Sequence, residues 1–492
     1  MVNGGILSPF FLYCNYRPKT YISAVSIISL LGDMMDFSKF QNKKIAVLGY
    51  GREGKSSLQF LLKIGVLPKN ITILDGAKKI EWLMESFWLI NQIFGINPEF
   101  NIVFGNDYLK NLKKFDIIIK TPGISLYHPE ILPYAHKITS QAQIFFDYYQ
   151  GKIIAISWTK WKSTTTTLTY EVLKAAGKKV QLIGNIGNPV LNYLDIEHPQ
   201  SQQDEYVAFE VSSYMLEWLE KKNYISVLLN IYHDHLDRHQ SFENYQRAKF
   251  NILNGSQHNL LRFEIVEANE LEGEDFKEYN VNIFGKEWAY TYTDEAFYVH
   301  GKKVFEDQNI LLRWEHNRIN ICAVLGICDI INIDPKVLQN VLSTFKWLPH
   351  RMENIWIYWW ITWIDDAIST TPESTIQAIQ TFGKDIDTIF LGGTDRGYKF
   401  DELVKTIIAY KIRNVVLFPD SGESIYKSIK KFDAGEIKIF KTNDMQTAVK
   451  FAYEYTKDHK ICLLSTASPS YSLWKNFEEK GNMFQKYIKE MV

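Results

Sequence analysis

The sequence predicts an α/β protein of three domains: a Rossmann-like N-terminal domain, a central P-loop-type ATPase domain and a Rossmann-like C-terminal domain. Three observations predict it. A strand, a GxGxxG turn and a helix follow one another over residues 43–64. A second apolar strand, Ile153 to Ser157, runs through a tight turn into Lys162-Ser163-Thr164-Thr165 at a helix start. From residue 348 onward, short apolar runs alternate with helical stretches, the pattern of a parallel doubly wound sheet. A chain of 492 residues holds about three such domains at roughly 150 residues each.

Composition sets outer bounds. Hydrophobic residues make up 46% of the chain, enough for a large core. A net charge of −1 gives no bulk attraction to nucleic acid or to an anionic membrane, so neither is expected as a partner. The four cysteines (Cys14, Cys322, Cys328, Cys462) have no metal-type spacing and fit a reducing cytoplasm. Residues 1–40 read as an N-terminal extension. Arg17 and Lys19 precede a moderately apolar run from Tyr21 to Leu31, but no small-x-small cleavage site follows. At about 11 residues the run is too short to span a bilayer. The reading is a mis-called start, with Met34 or Met35 as the first residue.

Residues 41–145 form the first predicted domain. The strand Lys43 to Leu48 enters Gly49-Tyr50-Gly51-Arg52-Glu53-Gly54, and a helix follows from Lys55 to Ile64. The next strand ends in Asp75, where an acid meets a ribose or base in dinucleotide folds. The bland alternative is a plain βαβ unit whose glycines only allow tight packing. A further strand, Phe115 to Lys120, delivers Thr121-Pro122-Gly123-Ile124-Ser125 to the sheet edge at which open α/β sheets bind ligands.

Residues 146–347 form the second. Lys162, Ser163 and Thr164 have the layout of a phosphate-binding loop: backbone N–H groups and a lysine on the phosphates, a hydroxyl on Mg²⁺. The loop lacks its glycines, because Trp158 and Trp161 stand in their places. Gly184-Asn185-Ile186-Gly187 follows a strand, and its glycines suggest backbone close to a ligand. Glu210 ends the strand Tyr206 to Glu210 and is a hard-oxygen candidate for Mg²⁺. The strand Ile225 to Ile231 runs into the polar cluster His233-Asp234-His235-Leu236-Asp237-Arg238-His239, placed as functional loops are placed. Glu315 to Asn320 opens a helix that continues from Ile321 to Ile331.

Residues 348–492 form the third. Strands are expected at 362–364, 388–391, 415–418, 437–440 and 461–464. Their ends carry Asp365-Asp366, Gly392 to Gly397 and Ser465 to Ser470.

Several of these phrases, in order, resemble the Mur ligases, and within them the branch that adds D-glutamate to UDP-N-acetylmuramoyl-L-alanine. The phrases are Gly184-Asn185-Ile186-Gly187, Glu210-Val211-Ser212-Ser213, Asp234 to His239 and Leu348-Pro349-His350-Arg351-Met352-Glu353. To them are added Ser369 to Thr375, Leu391 to Gly393, Asp395-Arg396-Gly397, Ala467 to Ser470 and Lys475-Asn476-Phe477-Glu478. The resemblance implies ATP-driven phosphorylation of a carboxylate and attack by the amine of D-glutamate. It implies that Lys162 holds the outer phosphates, with Ser163 or Thr164 and Glu210 on one Mg²⁺ and His235 on a second. It implies carbamylation of Lys249, since an ammonium repels Mg²⁺ and a carbamate supplies oxygen; without the resemblance Lys249 reads as an exposed helix lysine. Asn317, Arg351 and Asp366 fall at ATP positions. Asn185 and Ser212 fall near the muramoyl-alanine. Thr370, Arg396, Ser470, Tyr471 and Phe477 fall at the D-glutamate site, and Gly49, Tyr50, Gly51, Arg52, Asp75 and Thr121 to Ser125 at the UDP end. Met215 stands where a Gln is usual. A cytoplasmic monomer acting on small molecules is expected.

Trp158, Trp161, Trp314 and Trp347 all stand where this family has glycine, and the run Ile355 to Trp363 is similarly rich in Trp. Drift does not choose one replacement repeatedly. The pattern predicts UGA codons that the source lineage reads as glycine. If the tryptophans are genuine, the expectation is an inert homologue that binds only the UDP-sugar. A folate-glutamylating type of ligase is the third reading; the GxGxxG domain and the Ser-Pro-Ser and Lys-Asn-Phe phrases argue against it.

Overall fold

The computed structural model describes residues 35–77, 100–158, 162–184, 189–217, 219, 223–231, 236–268, 280–285, 288–308, 310, 312, 315–345, 349–432 and 437–491. The described residues form three sheets.

The first sheet holds β1 (Ile45–Leu48), β2 (Ile71–Asp75), β3 (Asn101–Phe104), β4 (Ile117–Lys120) and β5 (Ile138–Thr139), in the order β3-β2-β1-β4-β5. All its pairings are parallel. Strand order reverses between β1 and β4, so Gly49 and Thr121 emerge side by side at the switch point, where such sheets take ligands. The helix after β1 runs Arg52–Lys63, three residues earlier than the periodicity suggests, because Gly51 already serves as its N-cap. Phe37 and Phe40, in the stretch read as an extension, pack here: the Phe37 ring lies 4.5 Å from that of Tyr148, and Phe40 is buried.

The second sheet has the order β14-β13-β12-β11-β10-β9-β6-β8-β7. β6 (Lys152–Ser157), β7 (Val180–Gly184), β8 (Tyr206–Glu210), β9 (Ile225–Leu228), β10 (His258–Arg262) and β11 (Val281–Phe284) are parallel. The runs of β6, β8 and β9 are apolar almost throughout because helices or loops cover both faces. β12 (Tyr290–Thr293), β13 (Ala296–Val299) and β14 (Lys302–Glu306) form an antiparallel meander that the sequence reading missed. Its strands are only four or five residues long, and β12 and β14 are largely polar, so the long apolar runs of the buried strands are absent.

The third sheet has the order β15-β16-β20-β17-β18-β19. β16 (Ile361–Asp365), β17 (Ile386–Gly392), β18 (Asn414–Phe418), β19 (Lys438–Lys441) and β20 (Ile461–Leu464) are the five expected parallel strands. β15 (Glu353–Tyr358) is an antiparallel edge strand within what read as one crowded run. Among the described residues, no helix is long and apolar enough to cross a membrane.

Candidate active site

The central site is built at the C-terminal ends of β6, β8 and β9. Ile156 pairs with Glu210, and Ser157 pairs with Leu228, so the three strand ends lie level. The helix Lys162–Ala175 starts above them. Ser163 and Thr164 in its first turn are buried, as is Glu210 at 1% exposure. Residues 159–161, and hence Trp161, lie outside the described residues, as do the Lys162 side chain, Asn185, His235, Trp314 and Trp347.

Lys249 comes to this point from the helix Phe242–Phe250. It is 1% exposed, so the reading of it as an exposed helix lysine is overturned. Its Nζ donates to the Trp158 carbonyl at 2.8 Å and to Ser157 Oγ at 3.0 Å, across 91 and 92 positions of chain. Trp158 is buried among Ile154, Ile156 and Leu168. It is not among the non-glycine residues with positive φ, so its backbone does not require glycine. Gly184 does require it. A Cβ there would stand 2.2 Å from the Glu210 carbonyl, and φ is +114°. Its freedom lets the end of β7 lie against the end of β8.

The C-terminal part reaches into the same site. His350 and Met352 have positive φ, and the turn between them presents Arg351, whose Nη2 donates to Ser163 Oγ at 3.3 Å. The turn is fastened on both sides. His350 Nδ1 lies 2.7 Å from Asp365 Oδ2, and the Met352 N–H donates to Asp366 Oδ1 at 3.2 Å. Asp366, expected at ATP, therefore supports Arg351. Its other oxygen accepts from Ser465 Oγ at 2.7 Å. Burial pushes its pKa up to about 6, against the pull of hydrogen bonds from Ser369 and Ser465 and the charge of Arg351.

Asn317 is buried in the first turn of the helix Glu315–Ile331. Neither its Nδ2 nor Arg351 Nε has an acceptor among the described residues. Buried donors without acceptors suit an acceptor-only polyanion such as a nucleotide phosphate. Ser163 and Glu210 offer the hard oxygens that Mg²⁺ prefers. The residues present thus fit Mg²⁺ and ATP.

At the N-terminal sheet, Gly49 has φ +89°, and a Cβ on it would lie 2.2 Å from Thr121 Oγ1. The N-cap of the Arg52–Lys63 helix, Gly51, makes no side-chain hydrogen bond to it, and the positive end of the helix lies at the switch point. Two predicted ligand contacts are used otherwise. Asp75 accepts from the Tyr50 N–H at 2.7 Å and from the Ala77 N–H at 2.9 Å, so it shapes the loop. Tyr50 is 1% exposed, and its ring belongs to the core. Ser212 caps the turn Ser213–Leu216 through a 3.3 Å bond from the Met215 N–H.

At the third sheet, the Thr394 N–H donates to the Pro469 carbonyl at 2.8 Å, joining the ends of β17 and β20. Ser470 is buried, with no partner for Oγ among the described residues. Arg396 and Tyr471 are exposed, and Thr370 and Phe477 are half-buried. Lys120 and Glu217, which the sequence reading did not single out, form a buried polar group with Arg238 and His239 of the 233–239 cluster, between the first two sheets. The signal for Arg238 was its place in the 233–239 cluster; Lys120 ends an apolar strand and carried none.

Comparison with known proteins follows this geometry. Residues 156–333 match the family model of the Mur ligase middle domain. Similar solved structures include UDP-N-acetylmuramate-alanine ligase from Thermotoga maritima (TM-score 0.54, 18% identity, 92% of this chain and 100% of that one). Another is the folylpolyglutamate synthase of Mycobacterium tuberculosis, solved with ADP and AMPPCP (TM-score 0.54, 12% identity, 70% and 94%). These likenesses concern the fold. The UDP-N-acetylmuramoylalanine–D-glutamate ligase of Clostridium tetani is 29% identical, over 93% of this chain and 99% of its own length. That of Acetivibrio thermocellus is 30% identical over 472 residues, 92% of this chain and 98% of the relative. With a relative matched over nearly its whole length at that identity, the chain belongs to the UDP-N-acetylmuramoylalanine–D-glutamate ligase family of Mur ligases.

Proposed function

We propose that this chain is an ATP-dependent ligase that joins D-glutamate to UDP-N-acetylmuramoyl-L-alanine through an acyl phosphate, a cytoplasmic step of peptidoglycan precursor synthesis. The observation that carries the reading is the contact between Arg351 and Ser163, which brings a cation from the third sheet onto the phosphate-loop helix. Phosphoryl transfer to a carboxylate brings two anions together, so cations must lie between them. Arg351 supplies one from the C-terminal side and Lys162 another from the loop. The Lys162–Ala175 helix start adds N–H groups facing the phosphates.

Mg²⁺, when bound, neutralises charge on the transferring phosphoryl group. Ser163 and Glu210 would hold one ion, and His235 and Lys249 a second. Lys249 can serve only as a carbamate, because its ammonium is a donor without a lone pair. Asn317 and Arg351 bind the nucleotide. Gly49, Gly51, Arg52 and Thr121 hold the UDP end; Asn185 and Ser212 lie along the muramoyl-alanine. Ser470, Thr370, Arg396, Tyr471 and Phe477 receive D-glutamate. The three units 41–145, 146–347 and 348–492 then divide the work as UDP-sugar, ATP and amino-acid domains of a monomer. The inert-homologue and folate-glutamylating readings are set aside, because the full-length relatives carry the D-glutamate ligase name.

The test is phosphate release by the purified protein with ATP, Mg²⁺, UDP-N-acetylmuramoyl-L-alanine and an amino acid. Release should need all components and should occur with D-glutamate but not L-glutamate. Equal release without the UDP-sugar would overturn the reading.

A further inference from the structure

The loop Thr121 to Ser125 is gripped by cations from two sides. From its own sheet, Lys120 Nζ donates to the Ile124 carbonyl at 2.9 Å and, weakly, to that of Thr121 at 3.4 Å. From the central part, Arg238 Nη2 donates to the carbonyls of Pro122 and Ile124, the latter at 2.6 Å. Ser125 Oγ donates back to the Arg238 carbonyl at 3.3 Å. The contacts are thus reciprocal across more than a hundred positions of chain.

Arg238 is itself held. Its guanidinium carbon lies 4.4 Å from the centroid of the Tyr214 ring, and Nε is 4.0 Å from Glu217 Oε1. Glu217 is in turn 3.5 Å from Nδ1 of the fully buried His239, whose Nε2 meets Ser213 Oγ at 3.1 Å. A planar guanidinium between an aromatic face and a carboxylate is pre-organised, so its donors stay aimed at the two carbonyls. Arg238 also stands three residues after His235, within the segment that follows β9.

We infer that Arg238 is a positioning residue: it fixes the 121–125 loop to the central sheet, so that the sugar-side loop and the phosphate-side cluster keep one relative register. The inference rests on the ligase reading for its kinetic consequence only. In-line transfer needs the acceptor carboxylate and the γ-phosphate held to within a fraction of an ångström. A misplacement of about 1 Å costs roughly a hundredfold in rate.

The experiment uses full-length Arg238→Gln and Arg238→Lys. Hydrogen exchange should rise in the peptide covering 121–125 of Arg238→Gln and stay unchanged in the helix Lys162–Ala175. kcat/KM for UDP-N-acetylmuramoyl-L-alanine should fall roughly a hundredfold, with binding of a non-hydrolysable ATP analogue at the wild-type value. Arg238→Lys should recover part of both losses, since one cationic donor remains. Unchanged exchange at 121–125 would overturn the clamp, and so would an equal loss of nucleotide binding, which marks a general structural role. A wild-type protein without ligase activity would instead sink the functional reading, while the exchange measurement would still judge the clamp.

Discussion

Trp359 and Trp360 are the two residues of the turn between β15 and β16, and both have positive φ, 51° and 62°. Tyr358 pairs with Ile361 across them, so the loop has two residues. Two positive φ values in a two-residue hairpin are the sign pattern of a type I′ turn, which favours Asn-Gly or Gly-Gly. Both indoles are about two-thirds exposed, at 67% and 65%, so packing does not offset the strained backbone. Glycine at 359 and 360 removes strain of about 1–2 kcal/mol per residue. Trp359→Gly and Trp360→Gly should therefore each raise the denaturant midpoint. Peptides from native cells should carry glycine at these positions and at 158, 161, 314 and 347. UGG codons with tryptophan masses would end the reassignment reading.

Lys249 is buried against the Trp158 carbonyl and Ser157 Oγ, beside the phosphate-loop helix. Arginine keeps the charge but cannot form a carbamate. Lys249→Arg should lower kcat by roughly a hundredfold, the usual scale for losing a metal-site group. Protein equilibrated with ¹³C-bicarbonate should show a carbamate resonance that the variant lacks. A fully active variant with no such resonance would exclude carbamylation.

Arg351 meets Ser163 from the far side of the site, and its Nε has no acceptor among the described residues. A hydrogen bond to a charged group contributes about 1.5–3 kcal/mol. Arg351→Met should weaken binding of an ATP analogue about tenfold or more, and leave UDP-N-acetylmuramoyl-L-alanine binding unchanged by calorimetry. A matching loss of both would mean that Arg351 acts through folding alone.

The parallel strands were legible because buried strands read as continuous apolar runs; Tyr206 to Glu210 is an example, and its terminal acid marked the site. The meander β12–β14 was not, since its strands are short and β12 and β14 are largely polar. Lys249 and Glu210 were legible as candidate residues, but the burial of Lys249 was not, because it depends on where the Phe242–Phe250 helix docks. Asp75 and Asp366 misled in the same way. Each sits at a strand end, as a ligand-binding acid does, yet Asp75 accepts from the Tyr50 and Ala77 N–H groups, and Asp366 from the Met352 N–H and the Ser465 hydroxyl. Sequence gives the strand end but not the loop that folds back onto it. Arg238 needed the contact between two sheets before it had a role.

Lys480 is fully buried in the helix Phe477–Glu490, with Nζ donating to Thr466 Oγ1 at 2.5 Å. Burial lowers its pKa from 10.5 to about 7, against the pull of Asp365 and Asp366. The folded value thus lies below the unfolded one. Between about pH 7 and pH 10.5 the unfolded chain binds more protons than the folded chain, so this group's contribution to stability rises with pH. Below about pH 7 the folded state carries the buried ammonium, and its full penalty, on the order of a few kcal/mol, applies. Lys480→Met removes that charge while keeping most of the volume. Its stability gain over wild type should be largest near pH 6 and should shrink steadily toward about pH 10. Thermal melts across that range read the difference directly. A gain that does not vary with pH would mean that Asp365 and Asp366 hold Lys480 charged at no penalty, with the same pKa as in the unfolded chain.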